Sequence, residues 1–258
     1  MIIDTHIHLN DKSYNNDLEE VILRAKNSGV KTMIIPGANP EELDLAKEIS
    51  SKYENIYFAI GVHPYDIESY DEEYLLKFSQ DEKCIAVGEC GLDYYRLPDD
   101  EEEKKQNIAL QKDIFIKQIK LAKKLKKPLI VHIRDASLDA KEILVKEDAK
   151  EVGGVLHCFN ANSELLSLSE HNFYFGIGGV LTFKNAKKLV NILPQIPKDK
   201  LVLETDGPYL TPHPHRGTRN EPSYTILVAQ KISEILDIPF EEVEKITTNN
   251  SKKLFKID

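Results

Sequence analysis

Cysteine is scarce in this chain: the three that occur among 258 residues, Cys84, Cys90 and Cys158, form no CxxC pair. An odd count without paired spacing excludes a disulfide framework and points to a reducing, cytoplasmic compartment. Long apolar runs are missing too. Those around Thr32 to Pro36 and Phe173 to Leu181 fall far short of the roughly 18 residues a bilayer crossing needs, so no membrane association is expected. Met1-Ile2-Ile3-Asp4 lacks the basic stretch that opens a secretory signal. Positive charge is also in deficit, with 34 Lys and Arg against 43 Asp and Glu and a formal net charge of −9. That balance excludes the broadly basic surface on which tight phosphate-backbone binding rests, so any nucleic-acid contact has to be weak and local. The one basic run, Lys123, Lys124, Lys126 and Lys127, ends a polar helix and reads as a solvated face complementing the helix C-terminus.

What is present is an ordinary globular composition, 41% hydrophobic and 30% charged, enough for one sizeable core. The length is close to the roughly 250 residues of a TIM barrel, and a single domain over residues 1–258 is expected. Short β-rich apolar segments alternate with stretches of helical period throughout, the pattern of repeated βα units on a parallel sheet. Strands are expected near Ile2–His8, Thr32–Pro36, Ile56–Val62, Ile85–Glu89, Leu129–His132, Gly154–His157, Tyr174–Gly178 and Leu201–Asp206. Helix punctuation agrees. Asp17 stands at an N-cap before Leu18, Val21, Ile22 and Ala25, Gly29 at the C′ position, and Asn39-Pro40 at an N-cap and first turn. The longest helix is expected over about Glu102 to Leu125, and two more over Tyr224–Leu236 and Phe240–Leu254. The fold class is therefore α/β, a (β/α)8 TIM barrel. An open doubly wound sheet would place a Gly-rich loop after the first strand, and His6-Ile7-His8-Leu9-Asn10 is no such loop.

Residues two apart on a strand face the same way, so His6 and His8 both point into the barrel and can share one metal. Other ligand-type residues recur at the same level, at the C-terminal ends of their strands: Glu89, His132, His157 and Asp206. Barrel active sites are built from those ends, and six unrelated buried polar groups would be a poor alternative where Val, Ile and Leu are usual. Nitrogen and carboxylate donors without thiolates suit one or two divalent ions, Mg, Mn or Zn among them. Cys90 and Cys158 each follow a ligand directly and are expected to face the helices as small core hydrophobes. The simplest chemistry is hydrolysis by a metal-activated hydroxide, with Asp206 accepting a proton and Glu89 placed to bridge two ions. Glu204 shares the face of Asp206 one layer deeper and is either a further ligand or an orienter of His6 or His8. Around this centre His63, Arg96, Arg134, Arg216 and Arg219 suit phosphate, and Tyr94, Tyr95 and Tyr209 suit stacking on bases or sugars; surface salt bridges are the plain alternative for each arginine.

Taken in order, these segments resemble the TatD family of metal-dependent hydrolases, within the wider amidohydrolase-like barrels. The resemblance covers almost the whole chain. It rests on Asp4-Thr5-His6-Ile7-His8-Leu9, Gly61-Val62-His63-Pro64, Gly88-Glu89-Cys90-Gly91-Leu92-Asp93-Tyr94, His132-Ile133-Arg134-Asp135-Ala136, Leu156-His157-Cys158-Phe159, Thr182-Phe183-Lys184-Asn185-Ala186, Glu204-Thr205-Asp206-Gly207-Pro208-Tyr209-Leu210, Arg216-Gly217 and Asn220-Glu221-Pro222. It implies a divalent-metal-dependent deoxyribonuclease, often trimming from the 3′ end, that takes DNA or nucleotides as substrate and has no obligate protein partner. The metal ligands it implies are His6, His8, Glu89, His132, His157 and Asp206. The departures are Gly207, where Ala or Ser is usual, and Ile133, where a small or polar residue is common; both bear on substrate preference more than on chemistry.

Three other functions compete. Related barrels hydrolyse amides, lactones or phosphotriesters, often with a modified lysine bridging on strand four, where this chain offers Glu89. Deacylation of aminoacyl-tRNA needs the same metal chemistry and would release free amino acid. A non-catalytic metal- or nucleotide-binding barrel is the third, and the intact ligand set speaks against it.

Overall fold

The computed structural model describes residues 1–257. Eight parallel strands form one sheet in sequential order: β1 (Ile2–Asp4), β2 (Val30–Ile35), β3 (Ile56–Ile60), β4 (Cys84–Asp93), β5 (Leu129–Arg134), β6 (Gly154–Leu156), β7 (Phe173–Ile177) and β8 (Leu201–Leu203). The ends meet where Thr5 N–H donates to Leu203 O, Asp206 N–H to His6 O and His8 N–H to Gly207 O, closing a (β/α)8 barrel. Helices α1 (Leu18–Asn27), α2 (Leu43–Lys52), α3 (Glu72–Ser79), α4 (Glu101–Leu125), α5 (Ser137–Lys146), α6 (Lys187–Ile192), α7 (Thr225–Leu236) and α8 (Phe240–Phe255) pack outside or below it. Among the described residues, no helix is long and apolar enough to cross a membrane.

One helix position is filled differently. Between β6 and β7 the chain makes a run of 3-10 turns over Ser163–His171, with Leu165 and Leu168 buried. Apolar residues three apart line up on the three-residue turn of a 3-10 helix, and no further apolar pair is available to widen the stripe for an α-helix.

Two apolar layers hold the barrel. The outer one lies between strands and helices. The inner one takes one residue from most strands, Ile34, Ala59, Ala86, Ile130, Val155, Tyr174 and Val202, and is closed from below by Leu254 and Phe255 of α8. The floor is thus packed, and the polar residues are displaced to the other end. Cys90 lies in the outer layer as expected.

Caps follow the sequence in part. Asn39 Oδ1 accepts from Glu41 N–H, and Asp100 caps α4 at two amides. Asp17 does stand at the N-cap of α1, but its carboxylate makes no cap. It is taken by Arg219, at 2.7 and 2.6 Å, and by Arg24, because a bidentate guanidinium outcompetes a backbone amide for the same oxygens. Three of the four lysines at the end of α4 are engaged locally: Lys123 pairs with Glu151, Lys124 with Glu72, and Lys127 donates to Cys84 O.

Two buried glutamines of α4, seven residues apart, clamp strand-end backbone. Gln118 exchanges hydrogen bonds with both backbone groups of Val62, and Gln111 does the same at Asp93. The residue after Val62 is His63, so one helix fixes the ends of β3 and β4 where they enter the mouth.

Candidate metal centre

Parity alone would send Glu89 the wrong way. Ala86 is in the barrel interior and Val87 in the outer layer, so Glu89, three residues after Ala86, should face the helices. The register with β5 slips between Val87, opposite Leu129, and Cys90, opposite Val131, and that extra residue turns Glu89 inward and returns Cys90 to the outside. β4 then continues to Asp93, four residues beyond the expected end. His6 and His8 lie past β1, on a stretch held by the bridge of Ile7 to Gly207.

The donors form two adjoining groups that share Glu89. In the first, His6 Nε2 is 3.3 Å from His8 Nε2, 3.2 Å from Glu89 Oε2 and 3.7 Å from Asp206 Oδ1, and His8 Nε2 is 3.9 and 3.6 Å from the same two oxygens. In the second, Glu89 Oε1 is 2.9 Å from His132 Nδ1 and 3.1 Å from His157 Nε2, and those nitrogens are 3.3 Å apart. Donors on a divalent ion with bonds of about 2.1 Å are about 3.0 to 3.4 Å apart, so both groups fit an ion with modest contraction. Two imidazole nitrogens at 3.3 Å, both aimed at carboxylates, are an arrangement that a shared cation satisfies.

The electrostatics suit a cation as well. Burial opposes charge on Glu89, but His157, His6 and His63 together with the hydrogen bond from His132 hold its carboxyl well below the ordinary range. Asp206 is lowered likewise, burial being outweighed by His8, His157 and His6. His157, His8 and His132 are raised because the carboxylates overcome their burial, whereas burial prevails at His6 and lowers it. His63 is brought down to about 4 by burial. It is therefore neutral near pH 7, and since its Nδ1 accepts from Tyr65 N–H at 3.1 Å, its proton sits on Nε2, which lies 3.6 Å from Glu89 Oε1.

Two buried carboxylates outside the expected set support these groups. Asp93 Oδ2 lies 2.9 Å from His132 Nε2, which leaves Nδ1 of that ring facing Glu89; its Oδ1 accepts from Tyr95 N–H. Asp4 accepts from Thr205 Oγ1 at 2.6 Å and from Thr205 N–H, tying β1 to β8, and burial pushes its carboxyl up to about 8. The signal for Asp93 was its even spacing from Gly91 at a strand end; for Asp4, its even spacing from His6.

Glu204 is fully buried but serves neither His6 nor His8. Its Oε1 accepts from Cys158 N–H at 2.6 Å and lies 3.6 Å from His157 Nδ1. It occupies room left by Gly176, where a Cβ would come within 2.1 Å of Oε2. Cys158 departs from expectation. It is only partly buried, has a positive φ, and feels Asp206, Glu204 and Glu89, so it faces the mouth: β6 ends at Leu156 and the alternation is lost after it. At Gly207 a Cβ would come within 2.5 Å of Ile7 Cδ1 and 2.7 Å of Tyr14 Oη, so these larger neighbours fill the space that a side chain at this position would take.

The five arginines divide sharply. Arg24 and Arg219 are locked onto Glu221 and Asp17, which removes Arg219 from the anion-binding candidates. Arg96, Arg134 and Arg216 lie over the rings of Tyr65, Tyr95 and Phe183 at 5.2, 3.6 and 3.8 Å. Among the described residues, no carboxylate lies within ion-pair distance of these three. Tyr95 and Tyr209 are exposed at the rim, whereas the Tyr94 hydroxyl donates to Asp139 and leaves that ring half-buried.

A (β/α)8 barrel carrying such a His and carboxylate cluster at its C-terminal mouth defines the class, a metal-dependent hydrolase. The model of the family described as TatD related DNase matches residues 3–256, and the chain belongs to that family. It is 45% identical over its full length to the whole of the uncharacterized metal-dependent hydrolase YabD of Bacillus subtilis. It is 31% identical, over 99% of both chains, to the 3′-5′ ssDNA/RNA exonuclease TatD of Escherichia fergusonii. Among solved structures it superimposes on the TatD homologue YJJV of Escherichia coli with a TM-score of 0.90 at 27% identity, covering 100% of this chain and 98% of that one.

Proposed function

We propose that this hydrolase is a divalent-metal-dependent phosphodiesterase that cleaves DNA, as a deoxyribonuclease of the 3′-5′ exonuclease kind. The observation that carries the reading is the set of three arginines, Arg96, Arg134 and Arg216, held on aromatic rings around the centre without a carboxylate to neutralise them. Arg96 and Arg134 can fork onto phosphate, Arg216 can do so with the nitrogens not donated to Thr211 O, and the supporting rings limit the entropy lost in doing so. They give an acidic protein a local positive rim. The relative named as a 3′-5′ exonuclease supports the same substrate class.

His6, His8, Glu89 and Asp206 would hold one ion, and Glu89, His132 and His157 its neighbour. A bound divalent ion polarises a phosphoryl oxygen and lowers the pKa of water from 15.7 to about 7. Asp206, the more exposed of the two carboxylates and held ionised, takes the proton of the attacking water. Glu89 keeps the two donor groups at a fixed separation. His63 donates from Nε2 to a phosphate oxygen, and the arginines orient the strand. A second reading, hydrolysis of a small ester or amide, is favoured by the net charge of −9.

The test is cleavage of 3′-end-labelled single-stranded DNA by metal-stripped protein with Mg, Mn or Zn restored, beside Asp206→Asn and Glu89→Ala. Metal-dependent release of the labelled 3′ nucleotide, lost in both variants, is the expected result. Metal binding without cleavage would instead direct attention to small esters, amides and aminoacyl-tRNA.

A further inference from the structure

We propose that Gln118 and Gln111 of α4 are positioning residues for the centre, the first for His63 and the second for Asp93 and, through it, His132. The His63 arm rests on the phosphodiesterase reading. The ladder between β3 and β4 stops with Ile60 opposite Val87, so Val62 and Asp93 both lie beyond it, without a ladder partner across that edge. Buried backbone there has to be paired in another way. A primary amide offers one acceptor and a pair of donor hydrogens, so a glutamine can exchange both bonds with one residue's backbone as an antiparallel neighbour would. Gln118 does this at Val62, accepting from its N–H at 2.8 Å and donating to its carbonyl at 2.9 Å. Gln111 does it at Asp93, at 2.9 Å in both bonds, and gives its other hydrogen to Asn107 Oδ1 at 2.8 Å.

The two amides are set by a single rigid element. Seven residues make nearly two helical turns, which places both glutamines on one face of α4, about 10.5 Å apart along its axis. Both are buried, on a helix that also buries Ile114, Phe115, Ile119 and Ala122. What they clamp leads straight into the donors. His63 follows Val62 and its own N–H donates to Ala38 O at 2.8 Å, so the backbone is held on both sides of the residue whose Nε2 lies 3.6 Å from Glu89 Oε1. Asp93 places Oδ2 at 2.9 Å from His132 Nε2, the contact that leaves Nδ1 of that ring 2.9 Å from Glu89 Oε1. A backbone shift of about 1 Å at either residue would carry its side chain out of that geometry.

Gln118→Met and Gln111→Met keep most of the side-chain volume and remove the backbone hydrogen bonds. In each, Mn binding to metal-stripped protein is measured by calorimetry and KM from cleavage of bis(p-nitrophenyl) phosphate, beside Ile119→Val as a packing control on the same helix, with Tm for all. Gln111→Met is expected to weaken Mn binding about tenfold. Gln118→Met is expected to raise KM about tenfold and to leave Mn binding at the parental value, because His63 is not in either donor group. Ile119→Val should lower Tm and move neither quantity. Equal effects of the two glutamine variants on both quantities, or shifts no larger than those of Ile119→Val, would overturn the proposal and leave the glutamines a role in stability alone. If a methionine variant does not fold, the glutamate variant, which keeps the acceptor and loses the donor, is judged by the same outcomes. If the parent cleaves no diester, the phosphodiesterase reading falls and Mn binding decides: weakening confined to the Gln111 variant supports the positioning role, and equal weakening in both overturns it.

Discussion

The floor and the mouth of this barrel are built from the same strands, two residues apart, and do opposite things. On β5 the inward positions are Ile130 and then His132; on β6 and its continuation, Val155 and then His157; from β8 onward, Val202, then Glu204 and Asp206. At the floor each side chain meets apolar neighbours and is closed off by Leu254 and Phe255. One step up, imidazoles and carboxylates face one another at 2.9 to 3.9 Å in a buried space, an arrangement costly without a cation. The apolar packing of the barrel interior is thus concentrated below and its metal-ligand-type donors above, so an electrostatically demanding cluster rests on a separately packed floor.

Five measurements bear on that contrast. The largest effect is expected at the mouth: Asp206→Asn should lower metal-dependent hydrolysis by about a thousandfold or more while leaving Tm at or above that of the parent. A comparable fall in Tm would mean that the mouth also carries the fold. At the floor the reverse is expected, with Ile130→Ala costing about 2 to 5 kcal/mol of unfolding free energy in denaturant titrations and the folded fraction retaining its kcat. Loss of kcat there would show that the two layers are coupled. Between the layers stands Asp93, whose replacement by Ala should weaken metal affinity about 10- to 100-fold in calorimetric titration, since His132 loses the partner that sets its orientation.

Smaller effects separate the mouth arginines from those on the flank. Arg134→Ala should raise KM for DNA and reduce the salt dependence of binding by about one unit of slope, whereas Arg219→Ala should change stability and leave the slope alone. The smallest effect is in acid. Asp17 is lowered from 3.8 to about 2, chiefly by its hydrogen bonds with Arg219, so its contribution to stability is present above 3.8 and is lost as pH falls through about 2. The stability difference between the parent and Asp17→Asn, read from denaturant midpoints, should accordingly shrink over that window. A difference independent of pH would remove the Arg219 pairing as its cause.

Much of the barrel was legible because its signals are local. Alternation of β-rich and helical segments, Asn39-Pro40, and the apolar spacing of α4 depend only on neighbours along the chain, and the expected strands fall on the observed ones to within a few residues. The convergence of His6, His8, Glu89, His132, His157 and Asp206 was legible for a different reason: in a closed barrel every strand end reaches one axis. Where locality failed, the expectation failed with it. Cys158 was assigned by strand alternation that stops one residue before His157. Glu204 is expected as a further ligand or an orienter of His6 or His8, the histidines of the strand that adjoins β8 at the barrel's closure, and it lies instead against His157.

The sequence by itself determined the alternating architecture and the donor types at the strand ends, because side-chain chemistry and periodicity are properties of the chain. Tertiary structure alone decided the register slip by which Glu89 comes to face inward, which three arginines have no carboxylate partner, and that Asp93 and Asp4 lie behind the donors. Each of these depends on a partner far along the chain, the slipped register with β5, Asp17 against Arg219, His132 and Thr205, and no local pattern encodes a distance between residues that only folding brings together.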